Sequence, residues 1–348
     1  MPLWTDLIDP ATLSGYARAS LENYEQQRGT LAQFLPNRTV QDIVARVIQG
    51  DNGFVDAAEI RAYDAEPEVG RAAGGRRMTL ELPAVGQAIP VSEYQQLRLR
   101  NASDDALLNS VQATTDRVTQ AVANRIELMR GTVLATGRAT VTRDVNGNVV
   151  NVIDDDFGRD ERLTITAADL WADSSVSRLE AIQTWVDLYT DINGEPPGAI
   201  VAGTRARRAL AAGAEFQTQL LNGGARAATE AQVNDTLVGS SLPPIVAYDR
   251  RVSVRGTARR VLPDDSVFLL PAPGPTTNEA GTPLGSTVWG TTLTSQDPSY
   301  AIEDSEQPGI VAGVYRNEKP PMIAEVISDA IGLPILANAN LSMAVKVL

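Results

Sequence analysis

One long amphipathic segment, residues 103–153, constrains the fold of this chain more than any other feature. In its first part, apolar residues recur every three or four positions on one side and polar residues occupy the other side, as in an amphipathic helix. The apolar stripe contains Leu107, Val111, Thr115, Val118, Val122, Ile126, Met129 and Val133, and the polar side contains Asn109, Gln112, Asp116, Gln120, Glu127 and Arg130. Ser103 can cap the first turn. A helix of this length spans roughly 50 Å, more than a small domain is wide, which indicates a structural spine.

A tight β-hairpin is predicted directly after this helix. β-Branched residues lie on both sides of Asn146-Gly147, the dipeptide that best fits a type I′ turn. An ordinary α+β domain with one long helix would also account for these two features, because periodicity alone does not identify a fold family.

The complete absence of histidine and cysteine excludes most catalytic and zinc-binding chemistry. The acidic run of Asp154, Asp155 and Asp156 does not match the spacing of a calcium-binding EF-hand, so a solvated acidic loop after the hairpin is favoured. We therefore predict no cofactor, no metal and no catalytic residue. A hydrolase that uses this run of carboxylates is a distant alternative.

The charge balance argues against nucleic-acid binding. The net charge is −13, whereas affinity for DNA requires clustered cations that release counterions.

No stretch approaches the ~20 apolar residues of a membrane span, and the N-terminus has acids where a signal peptide would be basic. These observations predict a protein that is made in the cytoplasm, makes no membrane contact and does not bind DNA specifically.

Residues 40–50 are predicted to form a short helix. Val40, Ile43, Val44 and Val47 share one helical face, and Gly50 can end the helix.

The following segment, residues 65–90, is rich in proline and glycine, which indicates a long loop that extends away from the core. The apolar alternation at Leu80, Leu82 and Val85 favours a loose two-stranded loop that becomes ordered on a neighbouring subunit, and a flexible linker is the alternative.

Arginine supplies almost all the positive charge, because Lys319 and Lys346 are the only lysines. Codon bias would account for this composition. The functional alternative is that guanidiniums suit bidentate pairing with carboxylates across subunit interfaces. Two arginine groups are predicted, one on a short helix that opens at Thr204 and one on a hairpin that turns at Arg255-Gly256. For the first group a solvated face is the alternative, and for the second group it is nucleic-acid binding, which the lack of interleaved aromatic residues disfavours. The candidate intersubunit contacts are Glu66, Glu68, Arg71, Arg76, Arg77, Arg205, Arg208, Arg250, Arg251, Arg259 and Arg260.

The last third of the chain contains a loop followed by strands. Residues 271–283 are rich in proline, glycine and threonine and are predicted to form an exposed loop. Residues 310–315, 323–327 and 341–347 carry strand-length runs of β-branched and apolar residues that should hold the domains together.

Several blocks of the sequence resemble, in the same order, the lambda-like major capsid protein E family of tailed bacteriophages. The spine and hairpin resemble the central helix of that family and its adjoining strands. The further blocks are residues 85–94, 177–203, 259–271 and 320–348.

This resemblance implies an α+β fold, the tailed-phage capsid fold named for the Hong Kong ninety-seven phage. The implied parts are an N-terminal arm with short helices at residues 1–50, an extended loop at 51–100, a peripheral domain at 101–163, an axial domain at 164–305 that includes the loop at 271–283, and returning C-terminal strands at 306–348.

The resemblance also implies a function. Such a protein assembles with itself into hexamers and pentamers of an icosahedral shell that encloses double-stranded DNA, and its partners are a portal, a scaffold and in some cases a decoration protein. An encapsulin-type nanocompartment shares the fold but encloses cargo enzymes, and it is the nearest alternative.

We predict that the assembled shell is noncovalent. Some relatives crosslink a lysine of the extended loop to an asparagine of another subunit, but residues 51–100 contain no lysine. Denaturing gel electrophoresis of mature particles should therefore give a single band of monomer mass. A ladder of SDS-resistant oligomers would contradict this prediction.

Overall fold

The computed structural model describes most of the chain. The described residues are 2–5, 8–49, 60–61, 63, 76–99, 104–145, 148–173, 176–219 and 225–348. The buried residues form two hydrophobic cores, and two five-stranded sheets contribute to them.

The helices of the described residues are α1 Pro10–Arg28, α2 Glu93–Leu99, α3 Asp104–Thr136, α4 Arg178–Asn193, α5 Thr204–Ala211, α6 Glu230–Gly239 and α7 Leu293–Gln296. The strands are β1 Asn37–Thr39, β2 Val44–Gln49, β3 Arg76–Glu81, β4 Ala84–Val91, β5 Arg138–Val145, β6 Asn148–Asp156, β7 Thr164–Thr166, β8 Ala199–Ala202, β9 Thr218–Gln219, β10 Ala225–Arg226, β11 Ile245–Ala247, β12 Arg251–Val254, β13 Thr257–Arg260, β14 Ser266–Leu270, β15 Gly285–Gly290, β16 Val311–Arg316, β17 Ala324–Leu336 and β18 Met343–Lys346.

The predicted spine is confirmed as α3, a single helix of 33 residues, or about 50 Å. Val118, Val122 and Ile126 of its apolar stripe are buried in the first core. The predicted polar side is wrong at two positions, because Glu127 and Arg130 are also buried, at 1% and 0% exposure. The predicted cap, Ser103, lies outside the described residues.

The predicted hairpin is confirmed as β5 and β6, which pair antiparallel with a bulge between Val141 and Thr142. Its turn, Asn146-Gly147, lies outside the described residues. The predicted acidic loop is instead the end of β6, where Asp154 and Asp156 form ion pairs with Arg138 at 3.2 and 2.9 Å. Strand pairing of residues 154–156 with residues 138–140 places these acids on the hairpin itself.

The end of α3 is joined to the C-terminal part of the chain by Arg159. Its guanidinium donates hydrogen bonds to the carbonyl oxygens of Val133, Leu134 and Ala135, the last at 3.3 Å, and to Ser342 Oγ at 2.8 Å. These carbonyls belong to the last turn of α3, where the Val133 carbonyl also accepts from the Gly137 N–H at 2.8 Å, so Arg159 acts as a C-terminal cap. Burial lowers the pKa of Arg159 to about 10, which leaves the guanidinium charged at neutral pH.

The first sheet lies against α3 and has the order β1, β15, β17, β16, with β4 also paired to β17. β17 is its central strand, and the hydroxyl of the buried Ser328 donates to the Val118 carbonyl of α3 at 3.2 Å. α1 packs against α3 and β16. With 19 residues, this N-terminal helix is longer than the short helices predicted for the arm.

The second sheet has the order β11, β8, β14, β18, β7, and its inner strands β8 and β14 are buried on both faces. Successive strand residues point to opposite faces, so Ala199 and Val201 of β8 enter the first core and Ile200 and Ala202 enter the second. Residues of α4, α5 and α6 complete the second core. The short helix predicted to open at Thr204 is confirmed as α5, which follows β8.

The helix predicted for residues 40–50 is wrong, because residues 44–49 form strand β2, which pairs with β3. Ala45 and Leu80 are paired and both are 2% exposed. In a short run rich in β-branched residues, spacing alone does not distinguish a helix from a strand. Hydrogen-bonded pairing with β3 determines that this segment is a strand. Leu80 and Leu82 are buried in the chain's own core, so these two residues need no neighbour to become ordered.

The loop of residues 271–283 is largely exposed, as predicted, but it lies beside the first sheet. Its backbone exchanges hydrogen bonds with residues 33–37, including Gly274 N–H to the Gln33 carbonyl at 2.8 Å and Asn37 N–H to the Thr276 carbonyl at 2.8 Å. These bonds place the loop against the N-terminal segment, beside the first sheet.

Among the described residues, no helix has both the length and the apolar character needed to cross a membrane.

Removal of the last eight residues should abolish soluble folding. This deletion removes β18, which lies between β14 and β7 and buries Met343, Val345 and Val347 completely. The second sheet would lose an interior strand and expose apolar surface. The measurement is the soluble, cooperatively unfolding fraction of the truncated chain, with Lys346→Ala, an exposed position of the same strand, as the control. A stable truncated chain would contradict the prediction.

Candidate functional site

A network of buried charges lies where α3 crosses the first sheet. Arg130 is fully buried at its centre, and its guanidinium donates to Glu25 Oε1 of α1 at 2.6 Å and to Glu127 Oε2 of α3 at 3.2 Å. It also donates to Asn37 Oδ1 of β1 at 2.6 Å and to Thr287 Oγ1 of β15 at 2.8 Å. One side chain therefore joins four elements.

Glu127 extends the network to the segment that follows β11. Its Oε1 accepts hydrogen bonds from the Leu31 N–H at 2.8 Å and from the Tyr248 hydroxyl at 2.5 Å. Arg250 lies 3.8 Å from the same oxygen. The neighbouring carboxylate, Glu25, accepts from the Asn37 amide at 2.5 Å.

The charges of the network compensate one another, since two carboxylates face two guanidiniums. Burial alone would lower the pKa of Arg130, but attraction to Glu25 and Glu127 outweighs it and raises that pKa. Burial, followed by the negative charge of Glu127, raises the pKa of Tyr248, so its hydroxyl stays protonated and donates. Each charged group of the network has a partner of opposite charge. The network therefore stabilises the packing of the elements and offers no reactive group.

The sequence contains a signal for this network beyond the amphipathic pattern of α3. Ala123, Glu127, Arg130 and Leu134 form one row along α3, and the two apolar ends of that row are buried. A charged pair three residues apart between buried apolar neighbours indicates a buried ion pair.

The predicted contact residues are distributed over several surfaces. Glu66, Glu68 and Arg71 lie outside the described residues, as does the side chain of Arg76, while Arg77 is exposed on β3. Arg205 and Arg208 are exposed on α5, where the sequence placed them.

The predicted arginine hairpin is confirmed as β12 and β13, with Arg255 and Gly256 at φ 51° and 78° in its turn. Arg251 and Arg259 are exposed on it. The other two predicted arginines have partners within the chain: Arg250 joins the buried network, and Arg260 forms ion pairs with Asp249 and with Asp264, the latter at 3.1 Å.

Within the described part of the chain, no group of three or more acidic side chains is arranged to hold a metal ion.

Comparison with known proteins gives one family and a set of similar folds. The family profile described as phage major capsid protein E matches residues 19–304. No curated protein matches the sequence significantly.

Two solved structures share the fold over nearly their whole length. One is assigned as the capsid protein of a prophage of E. coli CFT073, with a TM-score of 0.64, 14% identity and coverage of 98% of this chain and 99% of that one. The other is a phage-related protein of Bordetella bronchiseptica RB50, with a TM-score of 0.55, 16% identity and 97% coverage of both chains. An encapsulin complex of Synechococcus elongatus PCC 7942 aligns less well, with a TM-score of 0.40, 12% identity and coverage of 91% and 86%.

Substitution of Arg130 should strongly destabilise the fold. Arg130→Met leaves Glu25 and Glu127 buried without a cation, which costs about 3–5 kcal/mol of unfolding free energy. Arg117→Met is the matched control, since Arg117 is exposed on the same helix and its loss should change stability by no more than about 0.5 kcal/mol. Denaturant unfolding of both variants makes the comparison, and equal effects would show that the network is not stabilising.

Proposed function

The chain belongs to the phage major capsid protein E family, and we propose that it builds the head of a tailed bacteriophage by noncovalent packing of identical copies. As a major capsid protein it has a structural role and forms part of the virion. The observation that carries this conclusion is the family match over residues 19–304, and the shared fold of the E. coli prophage protein supports it.

We propose that the two sheets correspond to the two capsid domains. The first sheet with α3 and the hairpin β5–β6 would form the peripheral domain, and the second sheet with α4, α5 and α6 would form the axial domain. The arm would comprise residues 1–50 and the extended loop residues 51–100. Because residues 271–283 and β15 lie with the first sheet, we place them in the peripheral domain instead of the axial one.

The proposed mechanism is cooperative packing. Arm and loop would overlap neighbouring copies in hexamers and pentamers, and many weak contacts would add together when the icosahedral shell closes. A rigid rotation of whole domains would expand a smaller precursor into the mature shell. Neither step requires catalysis, and we propose that the protein is not an enzyme.

The proposed partners follow from this role. The shell would enclose double-stranded DNA without gripping it, because the chain carries a net charge of −13. A portal and a scaffold, and in some heads a decoration protein, would join the assembly, and the chain would be made in the host bacterial cytoplasm.

The encapsulin alternative differs in what the shell contains, since an encapsulin would enclose protein instead of DNA. The hydrolase alternative has little support, because Asp154 and Asp156 are occupied by ion pairs with Arg138.

Expression of the chain alone, followed by negative-stain electron microscopy and sedimentation, tests the proposal. We expect shells, tubes or capsomer rings that sediment far faster than a 37.1 kDa monomer. If only monomer forms, the chain is co-expressed with a candidate scaffold protein from the same phage genome. Monomer in both experiments would overturn the proposal.

A further inference from the structure

A cavity of about 500 Å³ lies where the C-terminal end of α1 meets α3 and residues 247–253. Its volume is in the range of sites that hold small molecules. Three arginines line it, and we therefore call it the arginine cavity. Arg28 comes from the last turn of α1, Arg250 directly precedes β12, and Arg251 is the first residue of that strand.

The arginine cavity is positively charged, although the chain carries a net charge of −13. The carboxylate in its wall, Asp249, is already paired with Arg260. Within the described part of the chain, the guanidiniums of Arg28 and Arg251 have no hydrogen-bond or ion-pair partner. Cations that no carboxylate neutralises attract an anion.

The guanidinium of Arg250 is held in a defined position. It lies 4.8 Å from the centre of the Tyr24 ring, which Arg28 also contacts at 5.5 Å. Asn124 Oδ1 accepts from the Tyr24 hydroxyl at 2.9 Å and from Arg250 at 3.1 Å. Two cations at one ring repel each other, and an anion between them would relieve that repulsion.

Arg250 also has an unsatisfied donor. Its side chain is only 13% exposed, and its Nη1 is buried without a hydrogen-bond partner, because Glu127 Oε1 is 3.8 Å away. A buried donor without an acceptor costs free energy. This observation is independent of the charge count and indicates that an acceptor completes the site.

The chemistry of the wall favours an inorganic phosphate over a nucleotide. Among the described residues of the wall, the aromatic side chains are Tyr24, whose ring already contacts two guanidiniums, and Tyr248, which is 5% exposed and donates to Glu127. Neither ring is free to stack on a base. Planar guanidinium forks instead match the oxygens of a phosphate, and three of them offer more donors than one carboxylate accepts.

We propose that the arginine cavity binds a small inorganic anion of the pyrophosphate class, with Arg28, Arg250 and Arg251 as its ligands. The anion would join α1 to the hairpin β12–β13, because these arginines belong to two separate elements. The inference does not depend on the proposed assembly.

Titration calorimetry of the full-length chain with pyrophosphate tests the site. We expect saturable binding that is tighter than that of orthophosphate or acetate at equal ionic strength. R28Q/R251Q should weaken it at least about tenfold, since each substitution removes charge-assisted hydrogen bonds. R205Q/R208Q is the matched control, because it removes the same charge at two exposed arginines of α5 and should leave binding unchanged. Unfolding curves without ligand establish that both variants are folded.

A second readout is thermal unfolding, since a ligand that binds only the folded chain stabilises it. Pyrophosphate should raise the melting temperature of the parent chain and of R205Q/R208Q more than that of R28Q/R251Q. Equal pyrophosphate binding by R28Q/R251Q and the parent chain would overturn the proposal, as would the absence of saturable binding.

Two further ligands test the class of anion. ADP should bind no more tightly than pyrophosphate, because the cavity has no surface for the base. Tighter binding of ADP, or of a duplex DNA oligonucleotide, that the R28Q/R251Q substitutions abolish would overturn the assignment to an inorganic anion. Shell formation is scored separately, so shells without pyrophosphate binding would refute only this inference.

Discussion

The burial of Arg130 is the constraint on which the first half of the structure depends. A guanidinium removed from water is tolerated only with charged and hydrogen-bonding partners in close geometry, and this one requires α1, β1, β15 and its own helix at fixed positions. Glu127 extends the same requirement to Tyr248. The spine is therefore attached to its surroundings by directional bonds as well as by apolar packing, and such bonds define the register of the helix against the sheet.

The second sheet connects this assembly to the rest of the chain. Because β8 and β14 are buried on both faces, alternate residues of one strand serve two cores, and neither core is complete without the sheet. β18 is an interior strand of that sheet, and Arg159 joins the C-terminal segment to the end of α3. The last residues of the chain therefore complete the second sheet and contact the C-terminal end of the spine.

For a protein whose role is to pack against copies of itself, the distribution of charge over the surface matters as much as the core. Several arginines are neutralised within the chain, among them Arg138, Arg207 and Arg260, whereas Arg125 and Arg251 are exposed and have no ion-pair partner within the described part of the chain. An acidic chain repels its copies unless positive surface is concentrated where another copy meets it.

The sequence by itself determined the elements that depend on local chemistry. The period of α3, the β-branched residues of β5 and β6, the Arg255-Gly256 turn and the C-terminal strands all follow from residues close together in the chain. Tertiary structure alone decided whether residues 44–49 form a strand, because the answer depends on pairing with β3. It also decided the burial of Glu127 and Arg130, since Arg130 and Glu25 are 105 residues apart and no local pattern records which distant side chain will neutralise a charge.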